Sequence, residues 1–300
     1  MSGAARPLRL LLGFSPGSAS DQVARIVAQP LAELLGRAVH VELRPGRNGA
    51  DAAREAAASA PDGSTLFVAT LGTHALAPHL GQPLPYDPIG DFAPVSLLSR
   101  APMLLACHSA VPATSVRELI ALARSRPLEL AYATSAIGGA PHLAAEVFQA
   151  MAGIEMRHAR YDHTEELYAD LETGAVTLSF NNIMSMLPRC RGSALRPLGV
   201  SSAERTAVAP DVPTIAESGL TGYEVSNWLG LVAPKATPPT VVEELSAAVR
   251  DALRSDVVAR PLGAAGVVPS GSSPDEFGRF MLAEIRRWQP IVARFRHAAS

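Results

Sequence analysis

The chain reads as an α/β protein with two mainly parallel sheets, and three observations predict it. Short apolar runs alternate with helix-patterned stretches in two successive series. Polar, glycine-bearing loops stand where the runs end and the helices begin. After Pro234 the strand signals stop and the remaining chain is helical in pattern.

In the first series, Leu8 to Leu12 is an apolar run with strand character. The loop Phe14-Ser15-Pro16-Gly17-Ser18-Ala19-Ser20-Asp21 joins it to Val23, Ile26, Val27, Leu31, Leu34 and Leu35, which fall at helical spacing. Ser20 is the expected N-cap, Asp21 belongs to the first turn, Gly36 stops the helix and Pro30 is expected to kink or divide it. Val39 to Leu43 alternates as a strand, Ala50 to Ala60 is an alanine-rich helix, and Pro61-Asp62-Gly63 turns into the strand Thr65 to Ala69. This βαβαβ order implies parallel strands with crossover helices.

The second series begins with a strand at Met103 to Cys107 and a helix at Ser115 to Ser125, where Ser115 and Glu118 have capping-box spacing. It continues through strand Leu130 to Ala133, helix Pro141 to Met151, strand Met156 to Arg160, helix Thr164 to Glu172 and strand Val176 to Phe180. Trp228 to Pro234 is a further apolar segment. Helices follow at Val241 to Leu253 and from Pro274 onward, the latter opened by Ser273, Pro274 and Glu276 at N-cap, N1 and N3. The tail has no strand series of its own to cover, so it is expected to fold back on the first lobe. The expected division is residues 1–101 with 226–300 as one lobe and 102–225 as the other. In open α/β sheets ligands bind beyond the carboxyl ends of the strands, which places the expected ligand in a cleft between lobes.

At 300 residues the chain is long enough for two such lobes, and a net charge of −2 offers no global field for nucleic acid. Cys107 and Cys190 are too far apart for a metal knuckle, and no close His pair accompanies them, so free thiols and no metal site are expected. No apolar segment approaches the roughly 20 residues that span a bilayer. Met1-Ser2-Gly3-Ala4-Ala5 lacks the charged region, apolar core and cleavage site of a secretory signal. Either the protein is cytoplasmic or its signal has been removed.

The loops at the predicted strand ends are Ser15 to Ser20, Thr70 to His74, Thr134 to Pro141, Tyr161 to Thr164 and Asn181 to Ser185. Their hydroxyls, glycines and amides suit an anion, above all where Phe14 to Asp21 and Thr134 to Pro141 each lead into a helix N-terminus. Catalytic signatures are missing: Gly138-Gly139 is not a dinucleotide fingerprint, and neither a phosphate-binding Gly-Lys-Ser/Thr loop nor a nucleophile elbow occurs. His74, His142, His158 and His163 are dispersed and read as caps or loop hydrogen-bonders. Glu165 and Glu166 read as a solvated helix face. Arg160, Asp162 and His163 bracket Tyr161 in a loop expected to face the cleft; Asp162 has the place of an N-cap with Glu165 at N3, and capping and ligand contact are compatible. Tyr223 and Trp228 are expected to pack near the second crossing between lobes.

Eight runs in one order carry a resemblance over nearly the whole chain. They are Arg44-Pro45-Gly46, Pro61 to Leu66, Leu84-Pro85-Tyr86-Asp87-Pro88, Asp91-Phe92-Ala93-Pro94-Val95, Ser115 to Leu119, Pro141-His142-Leu143-Ala144, Pro210-Asp211-Val212-Pro213-Thr214, and Trp228 to Pro234. On these the chain resembles the Bug-type substrate-binding proteins of tripartite tricarboxylate transporters. The resemblance implies a two-lobed periplasmic-binding-protein-like fold of type II (Venus flytrap), a periplasmic location, no cofactor, a monomer, and capture of a small carboxylate for a membrane permease. It implies that Phe14, Ser15, Gly17 and Ser18, with Thr134, Ser135, Gly138 and Ala140, hold the proximal carboxylate. Thr70, Gly72 and Thr73 correspond to the family's next loop, and Asn181 and Asn182 to its distal wall.

Two departures from the family pattern are visible. Gly17-Ser18 stands where two glycines are common, and Arg160-Tyr161-Asp162-His163 replaces a Pro-Tyr-Lys-Gly-type stretch. The second change removes a glycine and reverses a charge, so altered specificity is expected, for a ligand whose amino or heteroaromatic nitrogen meets Asp162 or His163. The alternatives are the effector-binding domain of a transcription regulator, disfavoured by the missing helix-turn-helix, and a hydrolase using Ser135 or Ser18 with a nearby His.

Overall fold

The computed structural model describes residues 6–135, 137–161 and 163–298, the side chains only as far as 293. The first elements in chain order are β1 (Leu8–Leu12), α1 (Ala19–Leu35), β2 (Val39–Leu43), α2 (Ala50–Ala57), β3 (Thr65–Thr70) and the long β4 (Phe92–His108). Then come α3 (Val116–Ser125), β5 (Ala131–Thr134), α4 (Ala140–Ala152), β6 (Arg157–Arg160), α5 (Thr164–Thr173), β7 (Leu178–Asn182), α6 (Ile183–Cys190) and β8 (Leu195–Val200). The chain closes with β9 (Ser226–Pro234), α7 (Pro239–Arg254), α8 (Asp256–Ala264), β10 (Val268–Pro269) and α9 (Pro274–Ala298). Among the described residues no helix is long and apolar enough to cross a membrane.

The chain divides into two compact units, one running to Arg100 and resuming at Trp228, the other Ala101–Asn227. In the first unit β1 pairs in parallel with β2 and β3, and β9 returns antiparallel against β3. Strand β3 is buried throughout and β1 is buried except at Arg9, which is half-buried, while β2, at the edge, is half-exposed. Helix α1 packs against α7 and α8. Its buried face of Val23, Ala24, Val27 and Leu31 keeps it a single helix through Pro30, so the expected division does not occur. Tertiary burial of that face outweighs the one backbone hydrogen bond that proline cannot donate. Glycine 36 ends α1 in the left-handed conformation, as its position predicts.

Helix α9 is fixed to β9 by aromatic packing: Trp228 meets Phe277 and Phe280 edge-on, and Phe277 lies so close to Gly230 that a Cβ there would sit 2.1 Å from its ring. Its start has the capping box expected of Ser273 and Glu276: the Glu276 carboxylate accepts from Ser273 N, and Ser273 Oγ accepts from Glu276 N.

In the second unit β5 lies parallel to β6 and β7, while β4 runs antiparallel to β7 and β8. Strand β8 carries Arg196 and Pro197 inside a short apolar run and was not expected from the sequence. Helix α4 covers one face through Phe148, which packs on Phe180 and Tyr223, and the Tyr223 hydroxyl donates to Ala144 O at 2.8 Å. Cys107 is buried in β4 and Cys190 is half-buried at the end of α6; both are free thiols. At α3 only half the expected box forms: Ser115 Oγ accepts from Glu118 N, but the Glu118 carboxylate takes Thr114 N–H and its hydroxyl instead.

Candidate ligand-binding loops

Three βα turns meet in the first unit. The loop after β1 starts at Gly13, where a Cβ would lie 2.2 Å from Gly49 Cα, in the turn after β2. A Cβ on Gly49 would in turn lie 2.8 Å from Thr73 Cγ2 and 3.6 Å from the Phe14 ring. Gly13, Gly49 and the loop after β3 therefore require one another to be small or closely fitted. Sequence reasoning does not single out Gly13 and Gly49 as site residues; the signal for Gly49 is the Pro-Gly…Gly punctuation between β2 and α2. Arg47 and Asn48 in that turn adopt φ of 42° and 54°, a strained backbone held by the Arg47–Asp51 ion pair.

The N-cap of α1 is Ser18, not Ser20, because Ser18 has the extended cap conformation and its Oγ accepts from Asp21 N at 3.4 Å. Ser20 lies within the first turn, buried, with its hydroxyl 3.1 Å from that of Ser18. Asp21 is 4% exposed; it takes the Gly17 N–H at 2.9 Å and pairs with Arg25 at 2.7 Å. Ser18 N donates to Ser15 O at 3.2 Å. Two of the amides expected to face an anion are thus consumed inside the loop. The first-turn N–H of Ala19 and the exposed Ser15 hydroxyl remain as its donors.

The loop after β3 is a π-helical turn, Leu71–Leu76, rather than open coil. Thr70 and Thr73 cap it reciprocally, each side chain bonded to the other's backbone N–H at 3.1 and 3.0 Å. Their hydroxyls are buried and engaged, which makes them scaffold for Gly72, the half-exposed member of the turn. Tyr86 donates to Thr73 O at 2.7 Å, and His74 Nδ1 sits 3.0 Å from Thr73 Oγ1. The His74 ring is fully buried among Phe67, Tyr86 and Phe92, and burial pushes its pKa down to about 3.

In the second unit the loop after β5 leads into α4. Gly138 has φ of +76° and its N–H donates to His142 Nδ1 at 3.2 Å. Gly139 is the N-cap and supplies no side-chain acceptor, so the first turn presents the N–H of Ala140, Pro141 having none, and the positive end of a 13-residue helix. Thr134 is buried with Oγ1 2.7 Å from His158 Nε2. Ser135 Oγ accepts from Thr164 Oγ1 at 3.2 Å, and Tyr161 N donates to Thr134 O at 3.0 Å, so the loops after β5 and β6 are bonded together.

Tyr161 does not offer its hydroxyl to a ligand. It donates to Asp170 on α5 at 2.8 Å, and burial together with that carboxylate raises it to about 12. His163 is the exposed N-cap of α5, without a side-chain cap bond. Asp162 itself lies outside the described residues. The segment expected as a loop at Asn181 to Ser185 is instead the end of β7 and the first turn of α6. Asn181 is buried, its Oδ1 accepting from Asn182 N at 3.2 Å; Asn182 Oδ1 accepts from Asn227 Nδ2 at 2.9 Å.

Neither Ser18 nor Ser135 has its hydroxyl against a histidine among the described residues. The sequence model of the family described as "tripartite tricarboxylate transporter family receptor" matches residues 23–296. This chain belongs to that family. The BugT protein of Bordetella pertussis is 33% identical over 96% of this chain and 89% of its own length. Among solved structures, R. palustris Rpa4515 with adipate has 36% identity and a TM-score of 0.91, covering 96% of this chain and 97% of that one. MatC from Rhodopseudomonas palustris with bound malate has 31% identity and a TM-score of 0.88, covering 96% and 99%. Like its relatives, this tripartite tricarboxylate transporter receptor has the type II periplasmic-binding-protein fold. It is a periplasmic solute receptor of a transport system, not an enzyme, which disposes of the regulator and hydrolase alternatives.

Proposed function

We propose that this receptor binds a small organic acid, a dicarboxylate of the adipate or malate kind, and delivers it to the membrane subunits of a tripartite tricarboxylate transporter. The observation that carries the reading is the pair of full-length likenesses to receptors solved with adipate and with malate. In this reading one carboxylate rests on neutral donors of Phe14, Ser15, Gly17 and Ser18 and of Thr134, Ser135, Gly138 and Ala140. The start of α4, which has no side-chain cap, supports the assignment, because the Ala140 N–H and the helix dipole suit an anion without a buried cation. Thr70, Gly72 and Thr73 hold their loop in shape. Tyr161, Asp162 and His163 with Asn181 and Asn182 form the distal end, Tyr161 through its backbone and ring rather than its hydroxyl.

The test is a thermal-shift screen of unfolded and refolded protein, freed of carried-over ligand, against dicarboxylates, amino acids and pyridine carboxylates. A ligand at 100 times its Kd stabilises the native state by about 2.7 kcal/mol, several degrees in a chain of this size. A selective shift with one class is expected; no shift with any carboxylate would overturn the reading.

A further inference from the structure

The sheet of the first unit ends at β2, and the backbone bonds of β2 fix which of its groups face the open side. Leu8 N donates to Ala38 O and Arg44 N to Leu12 O, so the even-numbered residues of this strand turn their backbone toward β1. Arg9 N donates to Ser64 O, away from β2, as the alternation requires. Val39, Val41 and Leu43 therefore direct their N–H and C=O groups outward, where no further strand pairs with them among the described residues. Of these groups only Leu43 O has a partner among the described residues, Arg44 Nη1 at 3.1 Å, and a carbonyl has a second lone pair. The register with β1 runs unbroken from Val39 to Leu43, with no bulge, proline or lysine to spoil the edge.

The side chains of this edge are self-complementary. They alternate, so Val39, Val41 and Leu43, all half-buried, form one apolar row, and exposed His40 and half-buried Glu42 stand on the other face. Glu42 is on the α2 side, since Arg9, which binds both of its oxygens, also reaches Glu55 on α2. Arg44 adds a second bond to Oε2 at 2.8 Å, which leaves Oε1 with one bond and a site for another donor. We propose that β2 pairs antiparallel with β2 of a second copy of this chain about a two-fold axis at Val41, making a homodimer with one sheet continuous across both copies. In that register Val41 meets Val41 and Val39 meets Leu43, and the outward N–H and C=O groups of all three face one another as hydrogen-bonded pairs. On the other face the His40 imidazole of each copy stands opposite the Glu42 carboxylate of the other, a donor against an acceptor. Sliding one strand by two residues either way sets His40 against itself or Glu42 against itself, so a single register is favoured.

Sedimentation equilibrium of the refolded chain from about 1 µM to about 500 µM is the test. One strand of 5 residues makes a small interface, so the expected dimer is weak, with a Kd of about 10–100 µM. Val41→Pro removes an N–H that bonds nothing within one chain, a change that edge strands accept, and Val41→Lys brings two ammoniums together at the axis. Each should raise Kd at least about tenfold while melting close to the wild type. In hydrogen exchange the Val39, Val41 and Leu43 amides of the wild type should gain protection as concentration rises. A wild type that stays monomeric to the highest concentration, the state that the family resemblance implies, overturns the inference and leaves the receptor reading intact. A dimer that both variants leave undiminished also overturns it, because the contact then lies elsewhere. Protection of these amides that appears only when the membrane subunits are added overturns it as well, and gives the edge to a strand of the permease. Where Val41→Pro does not fold, Val41→Lys and the exchange pattern decide.

Discussion

His142 Nδ1 accepts the Gly138 N–H at 3.2 Å, across the turn that opens α4. The acceptor role requires an unprotonated Nδ1 and therefore a neutral ring. The ring stacks on His158 at 4.9 Å between centroids, and His158 stacks on Tyr132 at 4.7 Å. Through this stack two positions of the α4 loop, Gly138 N and Thr134 Oγ1, are held by histidine nitrogens. Removing the acceptor with His142→Ala should weaken carboxylate binding about tenfold, the worth of one positioned hydrogen bond. His142→Asn, whose Oδ1 takes the place of Nδ1, should recover part of the loss. Calorimetry with the tightest diacid checks both; unchanged affinity in His142→Ala would show that Gly138 needs no such partner.

Acid should destabilise the fold before carboxylate titration accounts for it. Burial depresses His74 from 6.5 to about 3 and His142, with a contribution from His158, to about 4; His158 is also lowered. Folded pKa values below the unfolded value mean that, under pH 6.5, the unfolded chain binds protons the native chain refuses. Stability is therefore full above pH 6.5 and falls as pH drops toward 4, by about 1.4 kcal/mol per pH unit for each such histidine. Glu146 opposes this, since burial raises its carboxyl and the native state holds that proton more tightly than the unfolded chain. Urea midpoints at pH 7, 6 and 5 test the slope, and His74→Phe should remove one histidine's share. A flat profile from pH 7 to 5 would contradict the assignment.

Strands β1 and β2 were legible to the residue because Pro7 and Gly13 flank the first and Pro45-Gly46 closely follows the second, and their spacing with helices implied the parallel order. The length of β4 was not: Arg100, Ala101 and Pro102 interrupt its apolar run, and the strand is completed by partners distant in sequence. The helical turns at Leu71–Leu76 and from Ile183 were hidden for a related reason, since Thr70–Thr73 and Asn181–Asn182 read equally well as loop polarity and as caps. At the site, the positions of the loops could be read, but the uses of their side chains could not. Whether Ser18 or Ser20 caps α1, and whether Tyr161 faces a ligand or Asp170, is decided by tertiary neighbours.

Both tryptophans of the chain donate their indole N–H to Glu284 Oε2, Trp228 at 3.1 Å and Trp288 at 3.0 Å. Glu284 is 7% exposed, with Arg287 3.6 Å from its other oxygen. Glu284→Leu leaves two buried donors unpaired and should cost about 2–5 kcal/mol. Glu284→Gln, which retains one oxygen, should cost less. Denaturation followed by tryptophan emission reports on this contact directly, and a Leu variant within about 0.5 kcal/mol of wild type, an ordinary surface effect, would mean that the carboxylate contributes nothing to the α9–β9 junction.

Gly13→Ala separates close approach from backbone strain. Gly13 is not among the residues with positive φ, so alanine is conformationally allowed there, and the only obstacle is the 2.2 Å approach of its Cβ to Gly49 Cα. Backbone cannot yield as a flexible side-chain end does, so the turns after β1 and β2 must move apart, at about 1–3 kcal/mol. Gly36→Ala is the opposite case: φ is +62° and nothing lies within 4 Å of a Cβ, so it should cost about 1 kcal/mol through strain alone. Both variants should melt earlier, but only Gly13→Ala should also weaken carboxylate binding, because Phe14 and Thr73 pack on the same Gly49. Paired melting curves with and without ligand distinguish the two. If Gly13→Ala binds as tightly as wild type, the contact of the three turns is a matter of stability and the carboxylate loop does not depend on it.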